Sequence, residues 1–248
     1  MIHNYKNALI IAPHSDDEIF TLPFIYSPEN NISKIDLLLI QYDDRRLKEA
    51  YNSSKFHSFN LIRFPENIKI KESYFHLHFE ELSLYFNNIW LNYDLVLSPA
   101  IEGGHQDHDS VSAALIHSKE KFKIKTNIFL YPTYRSVDWF PYYYTCGLSK
   151  KISKSYIKSL KMPSNWLKIF ISTIFLCYKS QLKSWILLFI PMIISFFKGN
   201  LNKYVIANNL DTKDIELFIP KRPLYQIYRG CNKDEWLQAY SLICKKDF

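Results

Sequence analysis

Short apolar runs ending abruptly in polar bursts set the pattern of the first half of the chain. Ala8-Leu9-Ile10-Ile11-Ala12 leads into Pro13-His14-Ser15-Asp16-Asp17-Glu18, and Leu95-Val96-Leu97-Ser98 leads into Glu102-Gly103-Gly104-His105-Gln106-Asp107-His108-Asp109. Each run has the length of a buried strand, and each burst reads as the loop at its C-terminal end. Three further runs predict strands: Ile35–Ile40, a short one at Leu61–Pro65, and Asn127–Tyr131. Between them, helical spacing predicts helices from Asp16 to Tyr26, behind an Asp43 N-cap, over Glu80–Trp90 and over Asp109–Lys119. Pro23 is expected to disturb the first of these early. Strands alternating with helices imply an α/β fold with a mostly parallel sheet.

After about residue 135 the alternation thins. A helix is expected from about Ser164 through Phe175, with a final one around Asp234 to Ile243. Short strand-like pieces after Asn208 are expected to complete the sheet edge and a pocket wall. Trp139, Phe140, Tyr142, Tyr143 and Tyr144 form an aromatic cluster that suits core packing first and a sugar-pocket lining second. Ser184 to Phe197 is intensely apolar, with Lys183 before it and Lys198 after. It is shorter than the ~20 residues that span a bilayer, and Pro191 interrupts it. A buried helix is its default reading. A segment dipping into a membrane interface, with Trp185 at the boundary, and a face for another subunit are the other two.

The 248 residues fit one domain, a core over 1–135 with an elaborated end over 136–248. At 48% hydrophobic and 17% aromatic, the chain can fill a sizeable core, and five glycines exclude a collagenous or linker-rich protein. The net charge of +7 is spread over the chain, with mild crowding of lysines between Lys150 and Lys168. No nucleic-acid module is recognisable, so nucleic acid is not expected as a partner. Cys146, Cys177, Cys231 and Cys244 form no paired motif, which suits reduced thiols in a cytoplasmic protein. The N-terminus lacks the apolar region of a signal peptide.

The chemistry concentrates in the two bursts. Alone, Asp16-Asp17-Glu18 suits a helix N-terminus, where acids complement the dipole, and a lone His-x-x-His suits an exposed surface. If the two strands are parallel neighbours, however, both loops open on one sheet edge, where ligands gather in such folds. His14, Asp16, Asp17, His105, Asp107 and His108 then form one cluster. Imidazole and carboxylate are ordinary zinc ligands, and a catalytic zinc takes three protein ligands plus water.

The pair of motifs, His14-Ser15-Asp16-Asp17-Glu18 and Gly103-Gly104-His105-Gln106-Asp107-His108, resembles those of the PIG-L/LmbE-like family of zinc-dependent N-acetylglucosaminyl deacetylases. That family commonly has His-Pro-Asp-Asp-Glu and His-Pro-Asp-His, so Ser15 and Gln106 stand where prolines are usual, without removing a ligand. The resemblance implies a Rossmann-like three-layer fold and hydrolysis of an N-acetyl group from an amino sugar on a lipid or glycan carrier. It implies Zn²⁺, or another divalent metal, on His14, Asp17 and His108, with Asp16 as general base. His105 would hold the oxyanion or protonate the amine, Asp107 would orient a histidine, and Glu18 would support the loop. Arg46, within an Arg-x-x-Glu matching Arg46 and Glu49, would contact substrate oxygens; a solvated Arg46 paired with Glu49 is the plainer reading. Tyr178-Lys179-Ser180-Gln181 resembles the Ser-Gln signature of a late helix. The same cluster would serve a zinc amidase on a non-sugar amide, and the same fold a non-catalytic binding protein. A location at the inner face of the membrane goes with the interfacial reading of Ser184 to Phe197. The sequence specifies neither the carrier nor the oligomeric state.

Overall fold

The computed structural model describes residues 3–89, 92–137, 140–149, 152–210, 212–220, 223–228 and 231–245. The side chains of 136–144 lie outside that description, as does Trp139, and with them the aromatic cluster expected around Pro141.

The predicted strands are all present, and the first two are longer by several residues. They are β1 (His3–His14), β2 (Asn30–Gln41), β3 (Asn60–Arg63), β4 (Leu95–Pro99) and β5 (Asn127–Tyr131). They pair in the parallel order β3-β2-β1-β4-β5. The chain starts at the centre with β1, winds to one edge through β2 and β3, then crosses back to place β4 on the other flank of β1. The sheet therefore reverses its winding between β1 and β4, and the crevice outside the carboxyl ends of those two strands is where ligands bind in such sheets.

Period-two alternation divides each strand between two cores. Leu9, Ile11, Leu38, Ile40, Val96, Ile128 and Leu130 face one, and Ala8, Ile10, Ala12, Leu37, Leu39, Leu97, Phe129 and Tyr131 the other. Helix α3 (Phe79–Ile89), α4 (Gln106–Lys121) and the final α9 (Lys233–Lys245) cover the first face. The second is covered by α1 (Leu22–Ile25), α2 (Asp44–His57), α5 (Trp166–Cys177) and α6 (Leu182–Phe197). This is the expected α/β three-layer fold.

Several boundaries differ for local reasons. The first helix opens as a 3₁₀ turn, Asp17–Thr21, and Pro23 falls in the first turn of α1 rather than breaking it; its missing N–H has no helical partner to lose there. Helix α4 begins at Gln106, three residues before the expected start, with His105 as its N-cap. The sheet edge is completed earlier in the chain than expected: β8 (Ile157–Ser159) and β9 (Lys203–Ile206) add antiparallel beyond β5. The regular elements described after Asn208 are helices, with α7 (Ile215–Phe218) and α8 (Leu224–Tyr228) ahead of α9. A hairpin of β6 (Tyr134–Val137) and β7 (Phe140–Cys146) forms a separate two-stranded sheet. All four cysteines are free.

The largest departure is α6. The buried-helix reading fails: Ile186, Leu187 and Ile190 are each about two-thirds exposed and Phe197 is 80% exposed. Only Trp185, Met192 and Ser195 of this helix are buried. Pro191 lies inside the helix without ending it.

Candidate metal centre and its cavity

Both polar bursts meet at the β1/β4 switch. His14 is the last residue of β1, and Asp17 opens the 3₁₀ turn after it. The Asp17 carboxylate accepts the His14 backbone N–H at 2.8 Å, so the turn folds back on the strand end. The same carboxylate divides between two imidazoles. Its Oδ2 lies 3.3 Å from His14 Nδ1, and its Oδ1 lies 3.1 Å from His108 Nε2. His14, Asp17 and His108 are all buried, and each offers a donor atom within 4.8 Å of the others. Asp107 lies 3.0 Å from His14 Nε2 through its Oδ2. That leaves His14 Nδ1 turned toward Asp17.

The donor set fits a divalent cation. His108 Nδ1 is buried without a hydrogen bond and Nε2 meets the Asp17 carboxylate without a well-formed one, which is costly unless something else satisfies the ring. Two neutral imidazoles and one carboxylate are an ordinary N₂O set for zinc or a similar ion. Without an ion the carboxylates draw positive charge onto the imidazoles as protons, which a bound cation would displace. Burial would raise the Asp17 carboxyl, but the charges of His108 and His14 hold it well below the usual carboxylate range. Burial would lower His14, but Asp107 and Asp17 outweigh it and raise the imidazole to about 10.

Asp107 does more than touch His14. Its oxygens accept the backbone N–H groups of Ser73 at 2.7 Å and Phe75 at 3.2 Å, tying the loop before α3 to the site. Gln106 reaches the same loop through the Ser73 carbonyl at 3.0 Å. The Asp107 amide donates to His105 Nδ1 at 3.1 Å. A neutral His105 therefore carries its proton on Nε2. The loop that presents His105 is closely fitted. Asp109 accepts the amides of Glu102 and Gly103, each at 3.0 Å. A Cβ on Gly104 would lie 1.7 Å from the Tyr134 carbonyl oxygen, so only glycine lets the hairpin approach.

Asp16 stands apart from the three donors. Its φ of 102° is left-handed, and its Oδ2 accepts the Trp185 indole N–H at 2.9 Å. Burial, reinforced by Asp17 and Glu18 and opposed by Arg46, pushes its carboxyl well above the ordinary range. Glu18 accepts from Ser53 at 2.6 Å and from the Tyr178 hydroxyl. Glu49 accepts the Ser180 N–H at 2.7 Å and its hydroxyl at 2.5 Å. The Tyr178–Gln181 segment thus holds carboxylates of both N-terminal motifs, and Glu49 bonds Ser180 where the plainer reading of Arg46 would pair Glu49 with the arginine.

A cavity of about 340 Å³ opens on this cluster; His14, Asp16, Asp17, Arg46 and His105 line it. Glu72, Tyr134, Trp185 and Tyr225 also line it and were not anticipated. Glu72 offers a carboxylate near His14 and His105, a second set of three donors. It lies in an aperiodic stretch with nothing in the sequence to mark it. Trp185 belongs to the cavity wall and is 2% exposed, so it is not a membrane-boundary residue.

No protein-family model matches the chain, and no curated protein matches it. Among solved structures, the antimicrobial reagent A40926 pseudoaglycone deacetylase Dbv21 aligns with a TM-score of 0.53. The identity is 13%, over 80% of this chain and 96% of that one. The zinc-inhibited form of the teicoplanin deacetylase Orf2 gives 0.48 at 12% identity over 71% and 85% of the two chains. Conserved protein TT1542 from Thermus thermophilus gives 0.44 at 12% over 80% and 93%. The likeness to Dbv21 shows a shared fold.

Proposed function

We propose that this chain is a zinc-dependent N-deacetylase that removes the acetyl group from an N-acetylated amino sugar. The observation that carries the reading is the meeting of His14 and Asp17 with His108, 91 residues beyond Asp17 in sequence, beside a cavity lined by Asp16 and His105. The fold shared with the deacetylase Dbv21 supports it.

His14, Asp17 and His108 would hold the ion, which when bound acidifies a water molecule and polarises the amide carbonyl. Asp16 takes the proton of the attacking water. Trp185 fixes its Oδ2, which leaves Oδ1 for that proton. His105, with its proton on Nε2, steadies the oxyanion that forms as water adds to the carbonyl carbon. The C–N bond then breaks, acetate leaves, and the amine takes a proton from Asp16 or His105. Arg46 contacts substrate oxygens at the cavity wall. Asp107 holds the His14 ring through Nε2, which would leave Nδ1 to hold the ion.

Elemental analysis of the protein and of His108→Ala, followed by amine release from a panel of N-acetyl sugars and non-sugar acetamides, tests this. Close to one zinc per chain, lost in the variant, with release from the sugars, is the expected result. Release from non-sugar amides alone would replace the substrate class. A protein that takes up no metal on incubation with zinc would overturn the reading.

A further inference from the structure

Helix α6 presents a continuous apolar stripe that none of the described residues covers. Ile186, Ile190, Ile194 and Phe197 recur at helical spacing and are all exposed, while Trp185, Met192 and Ser195 point the opposite way into the protein. The Ser195 hydroxyl donates to the Cys146 carbonyl, fastening that inner face. Helix α5 repeats the arrangement beside it. Leu167, Ile171 and Phe175 are exposed, and Trp166, Phe170 and Ile174 are buried. The two helices enclose an apolar groove of about 220 Å³ between them. Soluble surfaces rarely carry so contiguous an apolar patch without a partner.

The charge around this face identifies the partner. Between Asp138 and Asp211 the sequence has ten lysines, no arginine and no acidic residue. That segment is formally +10 where the whole chain is +7, so the remainder is −3. Lys168, Lys179, Lys183 and Lys198, within or beside α5 and α6, are exposed. A second copy of the chain would bring the same lysines against these and be repelled. An anionic surface with an apolar interior satisfies both features at once.

We infer that the α5–α6 face docks onto an anionic lipid leaflet. By length and composition, residues Lys179–Phe197 would suffice to cross a bilayer. The packed inner face of α6 instead keeps it against the protein, lying in the interface with its outer stripe among the acyl chains and the lysines at the phosphates. Ser184, Trp185, Leu187 and Leu188 of α6 also line the cavity beside the candidate metal centre. Docking therefore sets the cavity mouth at the leaflet surface. An amphiphilic substrate, its acetylated head in the cavity and its tail left in the leaflet, follows from that position; this last consequence rests on the deacetylase reading, whereas docking does not.

Flotation of the full chain with phosphatidylcholine vesicles, with and without added phosphatidylglycerol, tests the inference. The protein is expected to float with the phosphatidylglycerol vesicles and to lose most of that binding in high salt. Removing Lys179, Lys183 or Lys198 should weaken binding roughly fivefold each at low salt. Ile190→Glu with Ile194→Glu should abolish flotation without changing thermal stability or the release of amine from a small soluble substrate, because both side chains are exposed. A wild-type chain that stays soluble with anionic vesicles overturns the inference. So does one that sediments as a dimer, made monomeric by the double variant, without binding vesicles.

Discussion

Asp16 holds a backbone conformation that few residues other than glycine adopt, with φ at 102°. Aspartate and asparagine tolerate this region better than most side chains. Strain of this kind persists where the surroundings enforce it. Here the enforcement is visible: Asp17 bonds back to the end of β1, and Trp185 bonds the Asp16 carboxylate itself. Asp16→Asn can keep the conformation and accept the same indole bond, but it cannot take a proton from water. We expect it to keep its metal and to lose about 10²- to 10⁴-fold in turnover, measured as amine release alongside metal stoichiometry. Near-normal turnover would remove Asp16 from the role of base. At this scale the sequence was legible wherever chemistry followed a strand. His14, Asp16, Asp17, His105, Asp107 and His108 all announce themselves as polar bursts after apolar runs. Glu72 and Trp185 do not, because what brings each to the cavity is tertiary packing.

Elements were legible to the extent that their own residues decide them. The N-cap of α2 is one case, with Asp43 accepting the Arg46 N–H at 2.7 Å. The first turn of α4 is the opposite case. Gln106, Asp107 and His108 are polar, so apolar periodicity begins only at Val111, yet the turn is helical and buried. Apolar content likewise misled for α6, since composition does not say which side of a helix finds a partner. The joint between α2 and α5 turns on His57, whose ring bonds the Tyr26 hydroxyl at 2.8 Å and the Thr173 hydroxyl at 2.9 Å. Burial lowers its pKa from 6.5 to about 4. The unfolded chain then binds a proton between those values that the folded chain refuses. Stability contributed here is complete above pH 6.5 and falls as the pH drops toward 4, by up to about 3 kcal/mol. His57→Phe should be less stable at pH 7 but should lose less on acidification, as read from urea midpoints across that range. Parallel pH profiles for the two proteins would contradict the assignment.

For the molecule as a whole, the elements up to about residue 135 were legible in the sequence because each of β1 to β4 is followed by its own crossover helix. Beyond that point the order depends on long-range pairing: β9 returns to β5 from more than seventy residues away, a relation without a local signature. The position of β1 has a further consequence. It is flanked on both sides, and its register with β4, Leu9 with Val96 and Ile10 with Leu97, joins the two strands that carry the loops of the candidate metal centre. Amides at such a place are released to solvent only when the entire sheet comes apart. In deuterium exchange, the amides of Leu9 to Ile11 and of Val96 and Leu97 should be the last to exchange, well after those of α6. Partial openings that free α6 then leave the two loops in register. The half-life of the cluster as a geometric object becomes that of the fold itself, and denaturation should take both away in one transition.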